Sequence, residues 1–206
     1  MELADGARED APDALSVIDV SGVPGAEIVV QRGWTMPPLG SEGRATTAAV
    51  ACVLAPSDRW APGMEDLVLA RATAIAQRAA AVDAARWAPS AIHALGPRFE
   101  QRIAGAAKRD GAPASVDLRH LLGFAGERRD VLLCTLLCVG PEHDPRCPAF
   151  IEAAEPVGSF EAPPPPGLVI RAILLAAERP YGAAILLAIM AVALVALVLH
   201  RRPRTP

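Results

Sequence analysis

The stretch CTLLCVGPEHDPRC, residues 134–147, carries the residue types best suited to metal or thiol chemistry. Its Cys134, Cys138, His143 and Cys147 have the spacing C-x3-C-x4-H-x3-C, close to the C-x2-C-x4-H-x4-C pattern of a zinc knuckle. Cys134 and Cys138, however, fall in an apolar run that predicts a strand, where residues four apart are separated by about 13 Å. Both sulfurs do not easily reach one tetrahedral ion. A thiol or metal site at Cys138, His143 and Cys147 is therefore an alternative hypothesis, and we expect no cofactor.

Cys138 and Cys147 are a second combination with chemical meaning. Cys138 ends the predicted strand and Cys147 opens the helix that follows it, so the two side chains can meet in space. In an exported domain they would form a disulfide, whereas in the cytoplasm they would stay two buried thiols. Cys52, in the run AAVACVL, is interpreted as a small core residue.

His93 and His120 are candidates for a membrane-tethered hydrolase, although neither has a recognisable partner in the sequence. The chain lacks the G-x-S-x-G turn that presents a nucleophilic serine in many hydrolases. Trp34, Trp60 and Trp87 lie at the edges of predicted elements, where a half-exposed indole can bind an apolar or sugar ligand. We therefore favour a non-enzymatic binding or assembly domain with an unidentified ligand and keep the enzyme as the alternative.

The first half of the chain predicts three strands and a long helix. The runs SVIDV and AEIVVQ flank the turn-forming SGVPG and predict a hairpin, and residues 46–54 predict a third strand. A helix is predicted from about Pro62 into the eighties, with an acidic first turn. Its apolar residues recur every three or four positions and should face a sheet: Met64, Val68, Ala72, Ile75, Ala79 and Val82.

The second half predicts further strands and one short helix. PRFEQRIAGA, SVDLRHLLGF and RDVLLCTLLCV read as strands, and the last is apolar on both faces, as a central strand would be. Asp144 and Pro145 suit the N-cap and first turn of a short helix, CPAFIEAAE. The expected fold class is α+β, an antiparallel sheet with one long and one short helix, followed by a Pro-rich linker and a C-terminal transmembrane helix.

The run IVVQRGW, residues 28–34, followed by a long helix, meandering strands and a closing helix, resembles the PsbP-like domains. The resemblance covers about 130 residues. It implies a small α+β module that binds or assembles rather than catalyses, and it transfers no functional residues. This chain departs from those exported domains because its start shows neither a signal peptide nor a lipid-attachment cysteine.

Composition predicts six segments along the chain. Residues 1–14 are acidic and expected to be disordered, and residues 15–160 form the globular α+β domain. Residues 161–167 include four consecutive prolines and predict a moderately stiff linker. Residues 168–180 predict either an interfacial helix or a helix packed on the domain. A transmembrane helix, 181–200, and a basic tail, 201–206, complete the chain.

The predicted span rests on residues 182–199, which contain no polar or charged side chain. Eighteen helical residues cover about 27 Å, close to the hydrocarbon thickness of a bilayer. The leucines, isoleucines and valines favour insertion by roughly 3–6 kcal/mol. The residues expected to anchor the chain in the bilayer are Tyr181, Leu186, Leu187, Leu194, Leu197, Leu199, Arg201, Arg202 and Arg204.

Charge and span together predict the partners. Residues 1–160 contain 15 Lys and Arg against 21 Asp and Glu, so we expect no nucleic-acid binding. The expected partners are the lipid bilayer and an unidentified protein. Self-association through the span should be weak at most, because Ala184 and Ala188 provide a single small-xxx-small step.

The orientation of the predicted span rests on two opposing arguments. Three arginines follow the span and two, Arg171 and Arg179, precede it, which slightly favours a cytoplasmic C-terminus. The start MELADGAREDAPDAL does not resemble a signal peptide, which favours a domain that stays in the cytoplasm. The sequence thus predicts a single-pass, tail-anchored protein of the inner (cytoplasmic) membrane or its equivalent, with a cytoplasmic domain and reduced cysteines.

Overall fold

The computed structural model describes residues 8–10, 19–20, 23–39, 44–80, 83–88, 91–153 and 160–164. These residues form one antiparallel sheet and two α-helices, which confirms the predicted α+β architecture. The strands are β1 (Arg8–Asp10), β2 (Glu27–Met36), β3 (Thr46–Ala55), β4 (Asp83–Ala88), β5 (His93–Leu95), β6 (Arg98–Arg109), β7 (Ala112–Ala125) and β8 (Asp130–Pro141), and the helices are α1 (Met64–Ala79) and α2 (Arg146–Ala153).

The sheet order is β1-β2-β3-β8-β7-β6-β4, and the short β5 also pairs with β6. The last strand along the chain, β8, is therefore inserted between β3 and β7 and pairs antiparallel with both. One helix packs on each face of this region: α1 contacts β7 and β8 from one side, and α2 contacts β3, β7 and β8 from the other. The central position predicted for RDVLLCTLLCV is confirmed.

The sheet face under α1 is built from alternate residues of four strands, because successive side chains of a strand point to opposite faces. Most of these side chains are small or β-branched, and Ala76 of α1 is fully buried against them. Small residues on both surfaces let the helix lie close to the sheet. The buried sheet residues of this face are Ala49, Ala51, Val53, Ile103, Ala107, Val116, Leu118, Leu137 and Val139.

The opposite face packs against α2 and contains larger side chains. Trp34 of β2 contacts Phe150 of α2 edge to face, with 5.7 Å between ring centroids. Ile151 of α2 and Leu136 of β8 are buried in the same cluster. Burial of each such side chain contributes about 1.5–3 kcal/mol of hydrophobic free energy.

Several predicted elements need correction. Residues 8–10 lie within the segment expected to be disordered, yet they form β1, because pairing with β2 needs only backbone N–H and C=O groups. The strand expected at SVIDV is wrong where it is described, since Asp19 and Val20 lie outside any strand. The helix expected to reach the eighties ends at Ala79, and β4 follows it.

The chain divides between Pro164 and Pro165 into two units, a boundary that falls inside the predicted Pro-rich linker. The predicted juxtamembrane helix 168–180, span 181–200 and basic tail 201–206 lie outside the described residues. Within the described part, no helix is both long enough and apolar enough to cross a membrane.

A buried ion pair holds the end of α2 against the sheet. Arg119 of β7 forms a two-pronged contact with Glu100 of β6, at 3.0 and 3.1 Å, and its remaining nitrogen donates to the carbonyl of Ile151 at 3.1 Å. Burial alone would raise the pKa of the Glu100 carboxyl, but hydrogen bonds from Arg119 and Arg102 lower it below its usual value. Glu100 is therefore ionised at neutral pH.

Two arginines contact this one carboxylate but differ in burial, which gives a matched test. The Arg119 side chain is 5% exposed and the Arg102 side chain 50% exposed. We expect Arg119→Met to lower the free energy of unfolding by about 3 kcal/mol, because it removes the buried partner of a buried charge. Arg102→Met should cost less than about 1 kcal/mol, because its pair is screened by water. Urea unfolding of both variants measures the difference, and equal losses would contradict a dominant role for Arg119.

Candidate functional site

The cysteines form two disulfides, Cys138–Cys147 and Cys52–Cys134. The first joins the end of β8 to the first turn of α2, which is the meeting predicted for these residues. The second joins β3 to β8, although Cys52 was expected to be a core thiol. The cysteines were expected to be reduced, but all four are disulfide-bonded in the structure. Cys52 of β3 and Cys134 of β8 are directly opposite each other in the sheet, which brings their sulfurs together.

The disulfides also correct the thiol or metal hypothesis. Cys138 and Cys147 are bonded to each other, so neither sulfur is available as a thiolate ligand. His143 occupies a left-handed turn, with a φ of 66°, and its side chain is 91% exposed. Within the described ranges, no group of three His, Cys, Asp or Glu side chains is arranged to hold a metal ion.

The loop between β8 and α2 is held by Asp144. Its carboxylate accepts the backbone N–H of Arg146 at 3.0 Å, which satisfies the start of α2 as predicted. It also accepts the hydroxyl of Thr46 and pairs with the Arg146 guanidinium at 2.8 Å. Burial would raise the pKa of Asp144, but the hydrogen bonds from Arg146 and Thr46 hold it below its usual value. This cluster closes the helix onto β3.

The candidate catalytic residue His120 lies inside the core beneath α1. Its side chain is fully buried between Thr73 of α1 and Thr135 of β8. The Thr73 hydroxyl donates to the carbonyl of Leu69, so its oxygen accepts from Nε2–H of His120 at 3.1 Å. Nδ1 then accepts from the Thr135 hydroxyl at 2.9 Å. His120 is a structural residue that solvent does not reach.

His93, the other histidine proposed for catalysis, lies in the short edge strand β5. The His93 side chain is exposed, and the residue opposite His93 on the neighbouring strand β6 is Glu100. Unlike His120, it is accessible to a substrate. The structure therefore separates the two histidines, one in the core and one at the surface, and does not combine them in one site.

The described domain contains an apolar groove of about 400 Å³ beside α1. One wall is α1, and the floor is the end of β3 and the start of β8. The other wall is formed by Asp19, Val20, Val23 and Pro24. We define the apolar groove by six of its lining residues: Val53, Trp60, Met64, Val68, Ile75 and Leu133.

The groove has an apolar interior and a charged rim. Trp60 is 8% exposed and packs edge to face on Phe124, with 5.2 Å between ring centroids, so the back wall is fixed. Leu67, on the outer side of α1, is 67% exposed and adds an apolar side chain to the lining of the groove. Asp58 and Arg71 also line the opening. Such a site can bind an apolar group while a polar end remains in water.

Sequence reasoning missed the groove although it found some of its residues. The predicted stripe of α1 runs through Met64, Val68, Ala72 and Ile75, all of which line the groove. Ala72 and Ile75 of this stripe are buried as expected, together with Leu69 and Ala76, which the stripe did not include. Met64 and Val68 stay partly exposed. The spacing of apolar residues identified the apolar side of α1. Which of these residues line a groove depends on the position of the neighbouring strands, and the spacing does not give that position.

Comparison with known proteins identifies no family. No family model matches the chain, and no curated protein matches it. Among solved structures, PA94 from Pseudomonas aeruginosa, a protein of unknown function, is similar at 14% identity with a TM-score of 0.38, covering 63% of this chain and 85% of that one. LpqN, involved in cell envelope biogenesis of Mycobacterium tuberculosis, has 11% identity and a TM-score of 0.35, covering 73% and 90%. At these scores neither similarity carries an argument, and the PsbP-like resemblance stays a prediction.

The burial of His120 predicts a pH-dependent loss of stability. Burial lowers the pKa of His120 to about 4, from the ordinary 6.5. Below about pH 6.5 the unfolded chain binds a proton that the folded chain does not, so stability should fall as the pH drops from about 6.5 to about 4. The total loss is roughly 3 kcal/mol.

Urea unfolding at several pH values tests this with a matched pair of variants. His120→Gln removes the titrating group, so the loss of stability between pH 6.5 and 4 should shrink by most of that amount relative to native protein. His93→Gln, which changes an exposed histidine, should leave the pH dependence unchanged. A native-like slope in His120→Gln would show that other groups cause the loss.

Proposed function

We propose that this chain is a single-pass membrane protein whose α+β domain binds an apolar ligand at the bilayer surface. The observation that carries the proposal is the apolar groove beside α1. The predicted span, 181–200, would hold the domain near the membrane, and confinement to a surface raises the effective concentration of any ligand located there. A protein partner that inserts an apolar side chain is the alternative occupant.

The lining of the groove supports a hydrocarbon ligand over a polar one. Most of its walls are aliphatic, including Val53, Val68, Ile75 and Leu133, and offer few hydrogen-bonding groups. Aliphatic walls give little directional selectivity, which suits a flexible chain. A volume of about 400 Å³ is within the usual range of small-molecule sites. The ligand class we infer is the acyl chain of a lipid or fatty acid.

The surroundings of the histidines favour binding over the hydrolase alternative. His120 is fully buried against Thr73 and Thr135, so a substrate cannot approach its ring. His93 is exposed on β5 and is not among the residues that line the groove. The largely aliphatic groove therefore supports a role in binding.

We also propose that the domain faces an oxidising compartment. Two disulfides in one domain are typical of exported proteins, because cytosolic reductants keep thiols reduced. The excess of arginines after the predicted span agrees with this side. The cytoplasmic location drawn from the sequence stays the competing prediction.

Binding to the groove can be measured with a dansylated undecanoic acid, whose fluorescence rises in apolar surroundings. The protein is the chain shortened after Pro164, where the two units divide. Leu67→Asp should weaken binding by about tenfold or more, because it places a charge at the apolar entrance. Val68→Trp should block the groove by filling it.

Leu95→Asp is the matched control, since Leu95 is an exposed leucine on β5 and is not part of the groove. It should bind the probe like the native chain. If all three variants bind equally well, or if native protein does not bind, the groove is not an acyl-chain site.

The redox state of the cysteines in the full chain shows on which side of the membrane the domain lies. Cells are quenched in acid and treated with a maleimide-linked polymer, which adds mass to each free thiol. Four disulfide-bonded cysteines predict no mass increase without reductant and four additions after reduction. Four additions before reduction would place the domain in the cytoplasm and overturn our assignment.

A further inference from the structure

A second cleft lies at the opposite end of the central strands from the apolar groove. It consists of two neighbouring cavities of about 220 and 530 Å³, which share Arg44, Pro113 and Pro141 in their walls. The cleft is next to Thr46, where β3 begins, whereas the groove adjoins Ala55, where β3 ends. Ten strand residues separate them by about 30 Å. We call the smaller cavity the arginine cleft, lined by Arg44, Ala45, Arg109, Asp110, Ala114 and Gly140 with the two prolines.

Two arginines meet in this cleft, and no carboxylate in the described part of the chain pairs with either of them. Arg44 donates from Nη1 to the carbonyl of Arg109 at 3.2 Å, and Arg109 donates from Nη1 to the hydroxyl of Thr47 at 3.1 Å. Among the described residues, neither guanidinium has a carboxylate oxygen within 4.0 Å. Within the described ranges, both guanidinium groups therefore retain N–H groups and a positive charge that no carboxylate contact neutralises.

Arg146 lies nearby and, in contrast to Arg44 and Arg109, is paired with a carboxylate. Its guanidinium pairs with Asp144 at 2.8 Å, and further nitrogens donate to the Thr46 hydroxyl and the Pro37 carbonyl. Its charge and hydrogen bonds are used inside the protein. Arg44 and Arg109 differ from it, because no described carboxylate pairs with either of them.

The local excess of arginines over carboxylates is informative because the surrounding domain is acidic. Residues 1–160 carry more acidic than basic side chains, so free arginines have many carboxylates available as partners. Of the described residues that line the arginine cleft, Asp110 is the single carboxylate against two arginines. The arginine cleft is thus locally cationic, which favours an anionic ligand there. Glu142 and Asp144 line only the adjoining cavity, where Asp144 pairs with Arg146.

We propose that the arginine cleft binds a phosphate group through Arg44 and Arg109. The planar guanidinium fork matches phosphate oxygens, and two forks can share a tetrahedral anion with three or four acceptor oxygens. The phosphate belongs either to a lipid headgroup or to a free phosphate monoester. The site is independent of the apolar groove, because no residue lines both.

Calorimetric titration of the full chain in a non-ionic maltoside detergent tests the proposal. The probes are inorganic phosphate, glycerol 3-phosphate and acetate. We expect millimolar or tighter binding of the phosphates, and a loss of about tenfold or more in Arg44→Gln/Arg109→Gln. Arg78→Gln/Arg128→Gln is the matched control, because it removes two exposed arginines that do not line the cleft and so changes the net charge equally.

Two single variants keep the test valid if the double variant is poorly folded. Arg44 is exposed, so Arg44→Gln alone should fold normally and weaken phosphate binding by about threefold or more. Asp110→Asn should strengthen binding, by about two- to fivefold, because it removes the one carboxylate of the cleft. Asparagine also tolerates the positive φ of 52° at this position, so the turn is preserved.

The probes distinguish the sources of the phosphate. Tighter binding of glycerol 3-phosphate than of inorganic phosphate supports a lipid headgroup, and equal or weaker binding supports a free phosphate. Acetate that binds as well as phosphate would overturn the phosphate assignment. Absence of phosphate binding by the native chain, or equal losses in the cleft and control double variants, would overturn the site itself.

Discussion

The burial of β8 on both faces is the constraint on which the rest of this domain depends. A strand covered by α1 on one side and α2 on the other must be largely apolar, and a central position provides that cover. Neighbouring β3 and β7 extend both helix-binding surfaces, and β6 and β2 complete them under α1 and α2 respectively. The disulfides follow from the same position, since each of them joins β8 to a neighbour: Cys134 to β3 and Cys138 to α2.

Elements with a strong local pattern could be predicted from the sequence, and elements defined by their partners could not. The double-sided apolar run predicted β8, and Asp144 with Pro145 predicted the start of α2. Residues 8–10 have no apolar alternation, and β1 exists only because the edge of β2 offers backbone partners. The hairpin between β6 and β7 had a readable signal that was not used: Asp110 and Gly111, both with positive φ, form its two-residue turn.

The candidate sites divide in the same way. Cys138 and Cys147 are nine residues apart and joined by a short loop, so their meeting could be anticipated, whereas Cys52 and Cys134 are 82 residues apart and meet only through the strand order. The apolar groove could not be predicted from the periodicity of apolar residues in α1, because periodicity does not show how far neighbouring elements cover Met64. The arginine cleft forms where the ends of strands distant in sequence meet, so no local sequence pattern predicts it.

The path of the chain near Pro164 has a mechanical consequence. Phe160 packs directly over Gly123, where any added side chain carbon would collide with its ring, and Glu161 bonds to the backbone of Phe124. A pulling force applied at Pro164 therefore loads this contact with β7 before it reaches α2. Beyond that contact, the two disulfides provide a covalent route through α2 and β8 to β3. Tension that detaches Phe160 would then pass through the sulfur–sulfur bonds, so residues 139–146 and 53–133, which the two disulfides bypass, could not be extended.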